Sequence, residues 1–496
     1  MQSTSYYVFP AVAILLTFVL FLRSKGRRSL VQRIRGPLSP SFLLGHEYLL
    51  RNRQHVGDME TQWCQEYGAV YRTKGCFGQN ILSVADPKAL QYIFHSSGYR
   101  FRKTRDSYRA LQAMAGQGLV GVDGIGNEEK ISERVGDAKE LNMLEWGAKT
   151  TLDIIGITSF RYQFNSLGDG NTKLMAAVNN LFSEAARSPT SLELLYPALW
   201  RLLPGWLLIP LGWIPSRQIS RLNFFKNVAM KVSRPIFEKQ LKEVAGDVDP
   251  AEKDIVNVLA ISYLNDDVKK KMSDIEIDSQ LALHPEDQRK IREEITQIKA
   301  NTPGTLTSDD YDSMLWLNAS IKEALRLHPL AYGLFRESSQ DDVLPLAQPI
   351  TTSDGQLCSQ IPIRKGQVIL TSVYSYNRAG LLIGDATRLP SVWGDDAEEW
   401  NPSRFLDNRD TKQLSVGVYA NLLTFSAGIR GCIGWRFAVM ELQSVVTELL
   451  SNFEFSMPKG APRLQHGPAG QTLGPIVLGK AEEGPQIPLL VTPLNR

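Results

Sequence analysis

Cysteine is scarce, with four in 496 residues, at positions 64, 76, 358 and 432. No two stand as C-x-x-C, so a zinc ribbon or a thioredoxin-type dithiol is excluded. Four scattered thiols cannot frame so long a chain with disulfides, and they fit a reducing compartment. Charge is missing from residues 1–22 and acid is missing before Glu47. Six of the 55 basic residues (Arg23, Lys25, Arg27, Arg28, Arg33 and Arg35) precede Glu47, leaving 49 basic against 52 acidic side chains in the remainder. A body so near neutrality lacks the field that nucleic-acid binding needs, so no nucleic-acid partner is expected. Repeats and low-complexity runs are also missing. Hydrophobic residues make up 43% of the chain, too many for wholesale disorder and ordinary for a globular enzyme.

The longest apolar run is Tyr6 to Leu22, broken only by Thr17, and the basic cluster follows it at once. A bilayer core of ~30 Å needs about 20 such residues, with 17 near the lower limit. A cleavable signal carries its positive charge before the apolar run and small residues after it. Here the order is reversed, and Phe21-Leu22-Arg23 offers no cleavage site. An uncleaved signal or a buried helix competes with the reading adopted here, a single-pass anchor with its basic flank in the cytosol. The expected organisation is a lumenal N-terminus (1–5), a transmembrane anchor (6–22), a basic, proline-rich connector (23–40) and a cytosolic body (41–496). Membrane lipid is thus an expected partner.

Within the body, Ala69-Val70-Tyr71 and Asn80 to Val84 read as strands, and Pro87 marks a helix start. Residues 137–165, 172–187 and much of 217–299 carry helical periodicity. Residues 195–215, rich in Trp, Leu and Pro, either lie on the membrane or form a packed loop. Residues 329–372 are rich in Pro, Gly and β-branched side chains, and a final helix follows Gly434. The predicted class is mainly α with a small β portion, in a single large domain behind the anchor. Asn318-Ala319-Ser320 matches the glycosylation pattern inside a helical stretch, which makes it a chance match.

The strongest local signal is Phe425-Ser426-Ala427-Gly428-Ile429-Arg430-Gly431-Cys432-Ile433-Gly434. It satisfies F-x-x-G-x-R-x-C-x-G at every fixed position, a chance event on the order of one in ten thousand for this length. It resembles the haem-binding loop of the cytochrome P-450 family, and the likeness runs from residue 6 to the C-terminus. The resemblance implies haem b, with the thiolate of Cys432 as the axial ligand of iron. A thiolate there donates electron density that favours O–O cleavage. The helix predicted after Gly434 directs its N-terminal amides at that sulfur. Arg430 is expected to pair with a haem propionate, and Phe425, Gly428 and Gly434 to line the cofactor, the glycines by admitting close approach.

Glu323-Ala324-Leu325-Arg326, closed by His328-Pro329, resembles the E-x-x-R helix of the same family. Trp400-Asn401-Pro402-Ser403-Arg404-Phe405 resembles its P-E-R-F segment. The likeness implies a buried structural cluster of Glu323, Arg326 and Arg404. Arg336 occupies the position that often reaches a haem propionate. Leu330 to Leu334 and Gly470 to Leu473 occupy positions of substrate-pocket walls. An NADPH-dependent flavoprotein reductase is expected to dock on the cysteine side, near Arg430 and Arg436. A microsomal, fungal-like member is implied, in the endoplasmic reticulum membrane.

Three places depart from the family pattern. No W-x-x-x-R helix follows Gly118 to Gly124, where the chain passes directly to Ile125. The long central helix with A-G-x-[DE]-T, which supplies the acid and alcohol for proton delivery, is expected between Asp278 and Leu283. Only Ser279 to Ala282 intervene, and a helix crossing ~30 Å needs about 20 residues. No catalytic residue of that pair is identifiable anywhere in the chain. Ala379 to Ser391 is an apparent insertion between good family sequence on both sides. Such abrupt junctions near 124–125, 281–283 and 379–391 read as exon loss and intron retention. Three functions follow: a monooxygenase inserting one oxygen atom of O2 into a small apolar substrate (terpenoid, polyketide, fatty acid or aromatic), in secondary metabolism or xenobiotic oxidation; a haem-thiolate isomerase or dehydratase; or an inactive chain lacking the oxygen-activating helix.

Overall fold

A computed structural model describes residues 30–53, 55–107, 139–160, 166–167, 190–202, parts of 220–231, 281–302, 304–378, 392–406, 415–460, 462–469, 472–480 and 483–494. The anchor 6–22, the junction at 124–125 and the insertion 379–391 lie outside the described residues. Among the described residues, no helix is long and apolar enough to cross a membrane.

One part of the fold is a sheet with a helix against it. Helix α1 (Asp58–Tyr67) leads into a hairpin of β1 (Val70–Lys74) and β2 (Asn80–Val84), paired Val70 to Val84 and Lys74 to Asn80. The two strands expected here are thus present. Pro87 opens a short helix to Gln91, and the Asp86 carboxylate accepts from the Ala89 amide at 2.9 Å, the usual side-chain cap. Strands β3 (Phe101–Arg102), β5 (Gly333–Ser338) and β8 (Val368–Ser372) complete a five-stranded sheet in the order β1-β2-β8-β5-β3. The β2–β8 pair is parallel, Ile81 facing Val368.

Another part is helical. Helix α2 (Pro285–Asn301) and helix α3 (Leu315–Leu327) pack against the long α4 (Trp435–Asn452). Apart from Lys322, α3 is buried from Leu317 to Leu327. A helix hydrophobic on several faces belongs in a core rather than on a surface. Leu317, Ile321 and Leu325 of α3 meet Ile291 and Ile295 of α2 and Leu442 and Val446 of α4. Each such side chain contributes about 1.5–3 kcal/mol by leaving water. Asn318 uses both ends of its buried amide: it donates to the carbonyls of Tyr311 and Met314, each at 2.8 Å, and accepts from Gln443 at 2.7 Å. That side chain is part of the packing and not a surface acceptor.

Among the described residues, helix and sheet are mixed. Besides the five-stranded sheet, β4 (Lys139–Asn142), β12 (Pro488–Pro493) and β9 (Phe453–Ser456) form one sheet, with β12 in the middle. Hairpin β6–β7 (Asp342–Thr351, Leu357–Ile363) and hairpin β10–β11 (Leu464–Ala469, Thr472–Val477) stand as separate pairs. The fold is mixed because short strands such as β4 are stabilised by distant partners, which local periodicity does not record. Residues 137–165 accordingly begin with a strand, and the helix there spans Met143–Phe160. Of the Trp/Leu/Pro-rich stretch, Ser191–Leu202 is helical and the remainder lies outside the described residues.

Candidate functional site

The cysteine loop is held between α3, α4 and the helix after β2. Phe425 is buried, and its carbonyl accepts from the Cys432 amide at 2.8 Å. Gly431 donates to Gly428 at 2.9 Å, closing a tight turn between them. Gly428 has φ +58, and a Cβ added there would stand 1.9 Å from the Phe94 carbonyl oxygen. Both facts demand glycine: the conformation and the contact with the 87–96 segment. Gly434 is different. Its φ is −90, and an added Cβ would meet nothing within 4 Å. Among the described residues, none imposes glycine at 434. Cys432, a partly buried cysteine outside any disulfide, stands just ahead of α4, where the positive end of the helix favours a thiolate.

Two cations converge beside this loop. Arg336, on β5, is 5% exposed, and its guanidinium lies over the Phe94 ring at 5.4 Å. It donates to the Phe335 carbonyl at 3.0 Å, and no carboxylate among the described residues pairs with it. Burial, and then the neighbouring Arg430, lower its pKa from 12.5 to about 10. Arg430 in turn lies over the Tyr99 ring at 5.3 Å. Burying one guanidinium beside another is costly without an anion. A haem fits these residues: a thiol at a helix N-terminus, a loop glycine with open space beside it, and two cations suited to carboxylates. Phe425, Gly428, Arg430, Cys432 and Gly434 share this loop, and Arg336 stands beside Arg430.

The expected structural cluster is formed. Glu323 and Arg326 are fully buried and Arg404 nearly so. Arg326 grips Glu323 with both Nε (2.7 Å) and Nη2 (2.9 Å), and Arg404 Nε donates to the same carboxylate at 3.0 Å. The Asn401 amide adds a fourth bond at 2.8 Å. Two members were not read from the sequence. Asp396 pairs with Arg404 at 3.0 Å, and Thr424 donates to the Leu325 carbonyl at 2.7 Å, tying the cysteine loop to α3. The Gly394-Asp395-Asp396 run was the available signal for Asp396; Thr424 had none.

The two stretches expected to wall a pocket also meet. Leu473 donates to the Leu330 carbonyl at 2.7 Å, and Tyr332, Leu473, Val56 and Tyr374 form an apolar cluster. Gly470 lies outside the described residues. After the junction near 281–283, Leu281 is buried against the helical core, and the Gln288 side chain donates to its carbonyl at 3.0 Å. Residues 281–302 thus hold α2 and no acid–alcohol pair.

Residues 279–476 match the family described as Cytochrome P450. The chain is 29% identical to cytochrome P450 monooxygenase 81 of Postia placenta, an alignment covering 90% of each chain. It is 26% identical to cytochrome P450 monooxygenase claQ of Ampulloclitocybe clavipes, covering 94% of each, and 27% identical to cytochrome P450 monooxygenase 219 of Postia placenta, covering 93% of each. The first alignment runs over 513 positions, more than the 496 residues of the chain, so it crosses gaps where the relative has residues and this chain has none.

Proposed function

We propose, from the match of residues 279–476 to the Cytochrome P450 family and the likeness to proteins named cytochrome P450 monooxygenases, that the chain is of that family and descends from an enzyme inserting one oxygen atom of O2 into a small apolar substrate. Terpenoids, polyketides, fatty acids and aromatic compounds are the proposed substrate classes, in secondary metabolism or xenobiotic oxidation. The proposed electron donor is an NADPH-dependent flavoprotein reductase, approaching over Arg430 and the exposed Arg436. The proposed setting is the endoplasmic reticulum membrane, with residues 6–22 as anchor, a lumenal 1–5 and a cytosolic body.

The convergence of Cys432, Arg430 and Arg336 carries this reading. Cys432 would hold the haem iron, and the two guanidiniums would take the propionates with charge-assisted bonds. Bound there, haem supplies dioxygen binding and reductive activation. Phe425 closes the loop under the sulfur, and the Cys432 amide bonded to the Phe425 carbonyl fixes the backbone on which the thiolate stands. The Glu323 cluster acts on no reacting atom; it holds the 393–404 segment beneath the loop.

A second reading rests on one observation: no A-G-x-[DE]-T occurs in the chain. Without an acid and alcohol to deliver protons, isomerase or dehydratase chemistry, or no turnover at all, fits this polypeptide better than coupled oxygenation. A reduced, carbon monoxide-bound spectrum is the test of haem-thiolate binding. The thiolate-type band should be present in a haem-loaded protein and lost in Cys432→Ser. Its survival in that variant would remove Cys432 as ligand. NADPH consumption with a reductase then separates oxygenation from isomerisation.

A further inference from the structure

Two imidazoles clamp hairpin β10–β11 to the end of α3. His328 follows Leu327 as the last residue of that helix turn, and His466 lies in β10. Nδ1 of His328 and Nε2 of His466 stand 2.6 Å apart, with ring centroids 4.8 Å apart. Two main-chain bonds fix the same hairpin: the Val56 amide donates to the His466 carbonyl at 2.8 Å, and Leu473 donates to Leu330 at 2.7 Å.

The tautomers follow from what surrounds the pair. Nε2 of His328 is shielded from water and has no hydrogen-bond partner among the described residues. An orphaned N–H is tolerated less well than an orphaned acceptor. His328 is therefore assigned its proton on Nδ1, donating to His466 Nε2, and His466 is the Nδ1–H tautomer. A second proton on His466 Nε2 would set two donors against each other. A second proton on His328 Nε2 would lack an acceptor. The groups facing the pair are His55, 5.9 Å from the His466 ring, Tyr374 at 6.2 Å, and Arg326 and Arg378. Among the described residues, the acids beside them are committed elsewhere: Asp58 to His55, Glu323 to Arg326 and Glu398 to Arg378.

We propose that His328 and His466 are positioning residues, a proton-sensitive clamp that holds β10–β11 when both rings are neutral and releases it when His466 takes up a second proton. Removal from water, then the charges of Arg378 and His55, hold the His466 pKa at about 3. Burial and the same cationic surroundings lower that of His328. Once the hairpin opens, His466 returns to water and titrates near ~6.5. Proton linkage then multiplies the opening constant roughly thirtyfold between pH 8 and pH 5. The consequence for a substrate rests on the pocket-wall reading of Leu330 to Leu334 and Gly470 to Leu473; the clamp itself does not.

The test is amide exchange of the full 496-residue chain in detergent micelles, corrected for intrinsic rates. Opening at Leu473 and Val56 should rise about thirtyfold from pH 8 to pH 5 in the unaltered chain. In His466→Gln, whose amide oxygen can accept from His328, the rise should fall below about threefold. His55→Gln should behave as the unaltered chain. A flat response in the unaltered chain, a full response in His466→Gln, or its loss in His55→Gln would each overturn the clamp. A second measurement needs no variant: ring-carbon NMR should show His466 neutral while Leu473 stays protected, and a His466 titrating near ~6.5 under protection would sink the idea. Neither readout needs haem, so a chain that bound none would defeat the functional reading and leave this one standing.

Discussion

Trp393 donates its indole N–H to the Tyr376 carbonyl, 2.9 Å away across 17 positions of sequence. Arg326 closes the same gap: its Nη1 reaches the carbonyls of Asn377 at 3.0 Å and Ala397 at 2.5 Å. Arg378 and Glu398 pair at 3.1 Å. The flanks 376–378 and 393–398 are therefore neighbours, joined by bonds between the flanks themselves.

Deleting Ala379–Ser391 should leave the fold intact. The expected change in thermal midpoint is within about 4 °C, since removing a long excursion changes loop-closure entropy by under ~1 kcal/mol. Loss of the cooperative transition by circular dichroism would show that the segment is part of the folding unit.

Glu323→Ala should be among the most damaging single changes. It strands the guanidiniums of Arg326 and Arg404 away from water, a loss of about 3–5 kcal/mol. Arg404→Ala should cost less, because Arg326 still covers Glu323 on two atoms. Urea unfolding of the two variants orders them, and a Glu323→Ala midpoint equal to that of the unaltered chain would contradict the network.

Much of this site was legible beforehand. The cysteine loop and the E-x-x-R pair are short, contiguous patterns whose chemistry constrains residue type, so they survive reading one residue at a time. Arg404 was legible because Trp400 to Phe405 keeps its neighbours. The His328–His466 contact was not, since β10 carries no pattern that names its partner. The sheet around β12 was not legible for a like reason: β12 pairs with Lys139–Asn142 on one side and Phe453–Ser456 on the other, and no window of sequence spans such partners.

Arg336→Met should have opposite effects on two measurements. Without haem, removal of a buried cation that has no carboxylate partner among the described residues should raise stability on the order of 1–3 kcal/mol. With haem supplied, occupancy should fall, because one proposed propionate partner is gone. Pyridine haemochromogen assay of the haem-to-protein ratio and urea unfolding of the haem-free chain give the two numbers. A fall in both would mean that Arg336 serves packing alone.

Acid should destabilise the whole chain below neutrality. His466 has a folded pKa of about 3, below its unfolded value of ~6.5. The unfolded state therefore binds more protons between these values, and stability is full above pH ~6.5 and falls as pH drops through it. At pH 5 this single ring removes about 2 kcal/mol. Denaturation of His466→Phe at pH 7.5 and pH 5 should show a smaller acid loss than the unaltered chain. An equal loss would assign the effect to other groups.

Removing residues 1–28 should shift much of the protein to the soluble fraction after ultracentrifugation. Retention of all the truncated protein on membranes would make another surface the main attachment.

The parallel pairing of β2 with β8 sets a timetable for synthesis. Ile81 meets Val368, so the central strands of the largest sheet cannot join until most of the chain has left the ribosome. Until then the β1–β2 hairpin presents an unpaired edge, the kind of surface that invites association with other chains. Folding dominated by such distant contacts is slow. Expression of this protein should accordingly respond to slower translation and to chaperones that bind emerging strands, more than to any change at the cysteine loop.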